Sequence, residues 1–270
     1  MSPEEIVQVK ALISQSPSIS RFLGNWIQKQ AGAAEQSQSH HIFLAYLASP
    51  YGYIFAKKTS DLFGSVLGAI PNQCPRLRKK IVKAVGQEDL EAVLSELEIG
   101  VLLLKNSLRV EVEPLGRKGP DLKAYFGGYD TYVEAKKLQH DAEIKHLRTS
   151  EDNWVRVHTK PKLDKRTWNL YERYLTQNQF PNEGLHVLVV DSSKTDHGDK
   201  QPMSQAWDYY CERGASGNSY PIIHALVLCR RQKQKHISWL YDLTSEAAIF
   251  QNTYSPLPNN VFETLTGVFQ

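Results

Sequence analysis

Pro120-Asp121-Leu122-Lys123-Ala124-Tyr125-Phe126-Gly127-Gly128-Tyr129-Asp130-Thr131-Tyr132-Val133-Glu134-Ala135-Lys136 is the stretch on which the fold turns. Residues 121–126 read as one strand and 131–138 as the next, joined by the turn Gly127-Gly128-Tyr129-Asp130. Side chains two apart on a strand share a face, so Glu134 and Lys136 point the same way. A short hairpin can bring Asp121 beside them on the neighbouring strand. Two carboxylates and an ammonium then gather at one spot, a set that suits metal-assisted phosphodiester hydrolysis.

Working outward, Arg109-Val110-Glu111-Val112-Glu113 alternates strictly and predicts a half-buried strand, with residues 116–119 as a turn. Before it, Leu90, Val93, Leu94, Leu97, Val101 and Leu104 recur at three and four residues. That spacing predicts a helix with one apolar stripe, ending near Lys105 and Asn106. Beyond the hairpin, residues 139–161 are mostly polar, and a helix is expected over 163–177. Residues 185–190, Leu-His-Val-Leu-Val-Val, form a near-continuous apolar run, the pattern of a central strand covered on both faces. A helix over 204–212 and strands over 222–229 and 237–243 complete the expectation. Residues 1–85 carry helical periodicity without strand alternation, as in Ile6, Val9, Ile13 and Phe22, Trp26, Ile27. The expected class is therefore α/β, a mixed central sheet flanked by helices over 86–270, with a helical domain or arm over 1–85.

The order helix with Glu, strand, Pro-Asp strand, Glu-x-Lys strand, helix, strand resembles the PD-(D/E)XK superfamily, the restriction-endonuclease-like nucleases, over residues 88–195. The matching residues are Pro120-Asp121, Glu134-Ala135-Lys136, and Glu96 on the preceding helix. The resemblance implies Asp121 and Glu134 as metal ligands with Ala135 lending its carbonyl, and Lys136 as the cation that positions the attacking water. It implies Mg²⁺, with Mn²⁺ as a substitute. Glu96 is the helix acid at the interval seen in similar nucleases, counted back from Leu102 and Leu103, with Glu98 as the alternative on the other side of the stripe. The following helix offers Lys162, Lys165, Arg166 and Asn169 but no Gln-x-x-x-Tyr pattern, which counts against kinship with the exonuclease branch and leaves endo- and exonuclease action both open. Lys137 points to the opposite face of its strand. DNA is the implied substrate, with RNA left open, and cutting of both strands by a homodimer is common in this fold. The rival expectation is a nuclease-like fold that binds nucleic acid as a regulatory module without turnover.

Composition bounds these readings. The 270 residues are 41% hydrophobic and 23% charged, enough to bury a full core. No run of about 18 apolar residues occurs and the N-terminus lacks the pattern of a secretory signal, so a cytoplasmic protein without a membrane partner is expected. Cys74, Cys211 and Cys229 are odd in number and widely spaced, the pattern of reduced thiols. The net charge of +3 is unevenly spread, because residues 1–85 hold ten Lys and Arg against four acids. Arg76-Leu77-Arg78-Lys79-Lys80 with Lys83 is the densest run, suited equally to a phosphate backbone and to a solvated helix face. His40-His41, and His140 with His146, lack the spacing of a zinc site, and Asp196-His197-Gly198-Asp199 reads as a polar loop. No phosphate-binding Gly-x-x-x-x-Gly-Lys or Gly-x-Ser-x-Gly elbow is present.

Overall fold

The computed structural model describes residues 1–34, 40–106, 108–116, 119–137, 175, 179–191, 200–215, 222–230 and 246–269. They form two compact units, one running from Met1 to Val112 and one beginning at Glu113. The sequence reading divides the chain at 85/86; the long helix that follows that point packs with the helices before it.

The first unit is helical, as its periodicity predicts. Helix α1 (Pro3–Gln15) opens on a capping box: the Glu5 N–H donates to the Ser2 hydroxyl and the Glu5 carboxylate accepts from the Ser2 N–H. It buries Ile6, Val9 and Ile13 on one face. Helices α2 (Pro17–Leu23), α3 (Asn25–Ala34), α4 (Ile42–Ala48) and α5 (Gly52–Ala69) follow. Their core is aromatic: the Phe22 and Phe63 rings stack with centroids 4.2 Å apart, and Phe43 meets Phe55 edge to face at 5.0 Å. Helix α6 (Cys74–Lys83) carries the basic run and buries Cys74, Leu77 and Ile81.

Helix α7 (Gln87–Lys105) differs from its expected single stripe. Glu91, Ser95, Glu96, Ile99, Gly100 and Leu103 are buried together with Leu90, Leu97 and Val101, whereas Val93, Leu94 and Leu104 are half-buried. The reason is packing against α4, α5 and α6, which leaves little of its circumference in water. Glu91 is held inside through one oxygen: Tyr46 Oη and Gln87 Nε2 each donate to Glu91 Oε1 at 2.8 Å. Strand β1 (Val110–Val112) has the predicted alternation, with both valines buried and Glu111 exposed.

Among the described residues, six strands make one mixed, open sheet in the order of the chain, β1 to β6. Strand β2 (Leu122–Phe126) is antiparallel to β3 (Tyr129–Lys137), β3 is parallel to β4 (Leu185–Asp191), and β4 is parallel to β5 (Ala225–Arg230). Strand β6 (Glu246–Gln251) closes the order antiparallel to β5. Helix α8 (Lys200–Ala215) is longer than the expected 204–212. It packs Trp207, Tyr210 and Cys211 against Leu188, Val190, Leu226 and Leu228. Helix α9 (Asn259–Phe269) buries Val261, Leu265, Val268 and Phe269 and contacts β2. The architecture is α/β with helices flanking the sheet. The helix expected over 163–177 and the strand expected over 237–243 lie outside the described residues, apart from Leu175 in the helix.

Cys74, Cys211 and Cys229 are buried free thiols. Burial pushes the Cys211 thiol up to about 12, which makes it a poor nucleophile. No described helix is long and apolar enough to cross a membrane.

Candidate functional site

The site begins with a turn. Gly127 and Gly128 both adopt positive φ, 51° and 99°, as a two-residue type I′ connection requires. A Cβ on Gly127 would come within 2.5 Å of Asn260 Nδ2, which donates to the Gly127 carbonyl at 2.9 Å from helix α9. The tight turn makes Phe126 and Tyr129 the first cross-strand pair, so β3 starts two residues earlier than the sequence reading places it. From that pair the register runs to Leu122 opposite Val133, and the next step sets Asp121 opposite Glu134.

Parity then fixes the faces. Glu134 and Lys136 pair in register with Leu188 and Val190 of β4, so they share the face on which α8 packs. Val133 and Ala135 point to the other side, with Val187 and Val189. The carboxylates thus stand at the end of a covered apolar face. The side chain of Glu134 is only 4% exposed and that of Lys136 28%.

Within the cluster, Lys136 Nζ donates to Glu134 Oε1. Asp121 Oδ2 accepts from the Ala135 N–H at 3.0 Å, where the antiparallel ladder has run out of strand partners. The N–H and C=O of one residue in an extended strand point to the same edge, so the Ala135 carbonyl lies on the Asp121 side. Glu134 Oε2 is buried and has no hydrogen-bond partner among the described residues. Burial, then the Asp121 charge, push the Glu134 carboxyl up from its ordinary 4.5 to about 7, against the opposing pull of Lys136. The Glu134 carboxylate is thus dry, crowded by a second acid, and has one oxygen without a partner among the described residues.

The donor set fits magnesium. Both carboxylates and the Ala135 carbonyl supply hard oxygen, and Mg²⁺ takes few protein ligands because it keeps several waters. Among the described residues no group of three or more His, Cys, Asp and Glu side chains gathers, and a two-carboxylate site does not call for one. If Asp121 burdens rather than supports the metal-free fold, Asp121→Asn relieves Glu134 while keeping an oxygen for the Ala135 N–H. The expected result in EDTA at pH 8 is unchanged stability or a gain of about 1 kcal/mol. Urea denaturation checks this, and a loss of several kcal/mol would mark Asp121 as structural.

Glu96 belongs to the first unit, on α7. It is buried, and its Oε1 accepts from Lys80 Nζ of α6 at 2.6 Å. Sequence reasoning did not connect these two, because sixteen residues separate them and only the packing of α6 on α7 joins them. Glu98 on the same helix is half-buried. Lys137 pairs in register with Asp191, which is fully buried on the face away from Glu134. His140, His146, Lys162, Lys165, Arg166, Asn169 and His197 lie outside the described residues.

One histidine pair, His186 buried and His224 half-buried, escaped the sequence reading. The His186 N–H donates to His224 Nδ1 at 3.0 Å, and the His186 ring stacks on Phe180. Burial, then His186, push His224 down to about 4, so it stays neutral and serves as a fixed acceptor between β4 and β5. The only signal in the sequence is His186 interrupting an apolar strand.

No family model, curated protein or solved structure matches this chain.

Proposed function

We propose that this chain is a metal-dependent nuclease of the PD-(D/E)XK type that hydrolyses phosphodiester bonds in DNA. The observation that carries the reading is Glu134: a buried carboxylate, held by Lys136 on one oxygen, crowded by Asp121, and bare on the other oxygen among the described residues. A purely structural ion pair has no reason to keep a second carboxylate beside a dry one, since the repulsion only weakens the fold. The element order supports the same reading. Helix α7, β1, β2 directly behind Pro120-Asp121, β3 with its Glu-x-Lys and β4 parallel to β3 come in the order the resemblance implies, the helix expected between β3 and β4 lying outside the described residues apart from Leu175.

In this reading Asp121, Glu134 and the Ala135 carbonyl hold Mg²⁺. When bound, the ion lowers the pKa of a coordinated water and neutralises charge on the phosphate oxygens. Lys136 has three N–H donors, one of which holds Glu134 Oε1. Its remaining donors orient the attacking water and face the charge that builds on the phosphate. Hydrolysis joins the water oxygen to phosphorus as the bond to the departing sugar oxygen breaks. The water gives up one proton to solvent, and the departing oxygen takes one up. Leu188 and Val190, beside Glu134 and Lys136 on the same face, keep bulk water from that side of the cluster and strengthen its electrostatics.

The test is incubation of the purified chain with plasmid and with single-stranded DNA, in Mg²⁺, Mn²⁺ or EDTA. Cleavage is expected with either metal, absent in EDTA, and lost in Asp121→Ala; cleavage that survives Asp121→Ala refutes the assignment. Calorimetric titration with Mg²⁺ separates the rival: a chain that binds DNA and no divalent ion is a binding module.

A further inference from the structure

We propose that the outer ridge of helix α6, formed by Arg76, Lys79 and Lys83, is a second nucleic-acid contact that binds the phosphate backbone without regard to sequence. It does not depend on the metal site, and it gives the first unit a partner.

The run Arg76-Leu77-Arg78-Lys79-Lys80-Ile81-Val82-Lys83 contains five cations and no acid. The helix divides them into two groups. Arg78 Nε donates to the Phe22 carbonyl, and Lys80 Nζ holds Glu96 at 2.6 Å, so these two tie α6 to α2 and α7. Arg76, Lys79 and Lys83 are exposed, at intervals of three and four, on the side opposite buried Cys74, Leu77 and Ile81. Arg76 also donates an N–H to the Val112 carbonyl at 3.2 Å, which steadies its side chain. Lys79 and Lys83 form no ion pair among the described residues.

Local helix chemistry does not account for this ridge. Lys83 in the last turn favours the helix dipole, but Arg76 in the first turn opposes it. Arg76 with Lys79, and Lys79 with Lys83, are like charges at helical contact spacing, and each pair disfavours the helix. A row of cations that costs its own helix stability is explained by an external anion. From Arg76 to Lys83 the ridge runs about 10 Å at the helical rise. One strand of duplex DNA places a phosphate about every 3.4 Å along the axis, so each cation can meet its own phosphate. A membrane surface is the poorer fit, because Cys74, Leu77 and Ile81 are 4%, 1% and 0% exposed, so α6 has no exposed apolar face to insert and only the single Val85 beyond its end is exposed.

The decisive variant is Lys79→Glu, measured by fluorescence anisotropy on a short labelled duplex in EDTA, where no cleavage occurs. Glu at 79 removes one phosphate contact, adds a repulsion, and creates a favourable i, i+4 pair with Lys83. Affinity is expected to fall at least tenfold while Tm holds or rises, an outcome that a structural role for Lys79 cannot give. Lys79→Gln should lower the slope of log K against log salt by about one. Lys29→Glu, an equal charge change on α3, should weaken binding less than threefold. Affinity in Lys79→Glu equal to that in Lys29→Glu overturns the proposal. So does binding to phosphatidylserine vesicles without binding to duplex. Loss of cleavage with duplex binding intact in EDTA refutes only the nuclease reading.

Discussion

Glu134→Gln is expected to abolish metal-dependent cleavage, by about 10³-fold or more, and to make the metal-free protein more stable above pH 7. Burial and Asp121 raise the folded carboxyl to about 7, against an ordinary value of 4.5. A raised carboxyl holds its proton more tightly when folded, so its contribution is fully present below 4.5 and is lost as pH rises through 7. At about 1.4 kcal/mol per pH unit, the loss for wild type approaches about 3 kcal/mol. Glutamine cannot ionise and still offers an oxygen to Lys136, so the variant should lack that fall. Urea denaturation in EDTA at pH 5 and pH 8 reads the difference between the two proteins, which cancels groups that titrate in both. An equal fall in both would mean that Glu134 carries no such burden. Adding Mg²⁺ at pH 8 should stabilise wild type and leave the variant unmoved.

Lys136→Met should lower kcat by about 10²- to 10³-fold while leaving Mg²⁺ binding in place, because the lysine orients water and offsets charge rather than holding the ion. Removing one partner of a buried ion pair commonly costs about 3–5 kcal/mol. Here Glu134 has an escape. With its carboxyl already near 7, it takes up a proton at neutral pH for little free energy, so the stability loss at pH 7 should stay near or below about 1 kcal/mol. Single-turnover cleavage at saturating Mg²⁺, beside calorimetric Mg²⁺ titration, separates the two effects. A variant that keeps more than a tenth of the wild-type rate removes Lys136 from the mechanism.

The hairpin was legible because its information is local: a glycine pair, alternating strands and a strand period of two suffice to bring Asp121, Glu134 and Lys136 together. The burial of Glu134 was not legible. It comes from Leu188 and Val190, more than fifty residues downstream, once β4 lies parallel to β3. Helix α7 misled for a related reason, since its stripe gave one buried face and three neighbouring helices cover more. Strand β6 is Glu-Ala-Ala-Ile-Phe-Gln, too weak in β-formers and alternation to stand out, and exists by pairing with β5. Helix α9 did carry a signal, Val261, Leu265 and Val268 behind Pro258, that went unread. In α6 the sequence showed five cations of equal standing; only packing tells Arg78 and Lys80, which tie the helix to α2 and α7, from the three whose side chains are exposed.

The two-residue turn at Gly127-Gly128 makes the hairpin a ruler. Because the register counts outward from Phe126 and Tyr129, the number of residues between Asp121 and Glu134 matters as much as their identity. A single residue inserted in that interval slides one strand past the other by one place, and the carboxylate beyond the insertion turns to the sheet's opposite face. The exposed side chains along the arms, such as Tyr125 and Tyr129, can be exchanged at less cost. Redesign of this chain must therefore place any change of length before Pro120 or after Lys137, where no count is being kept.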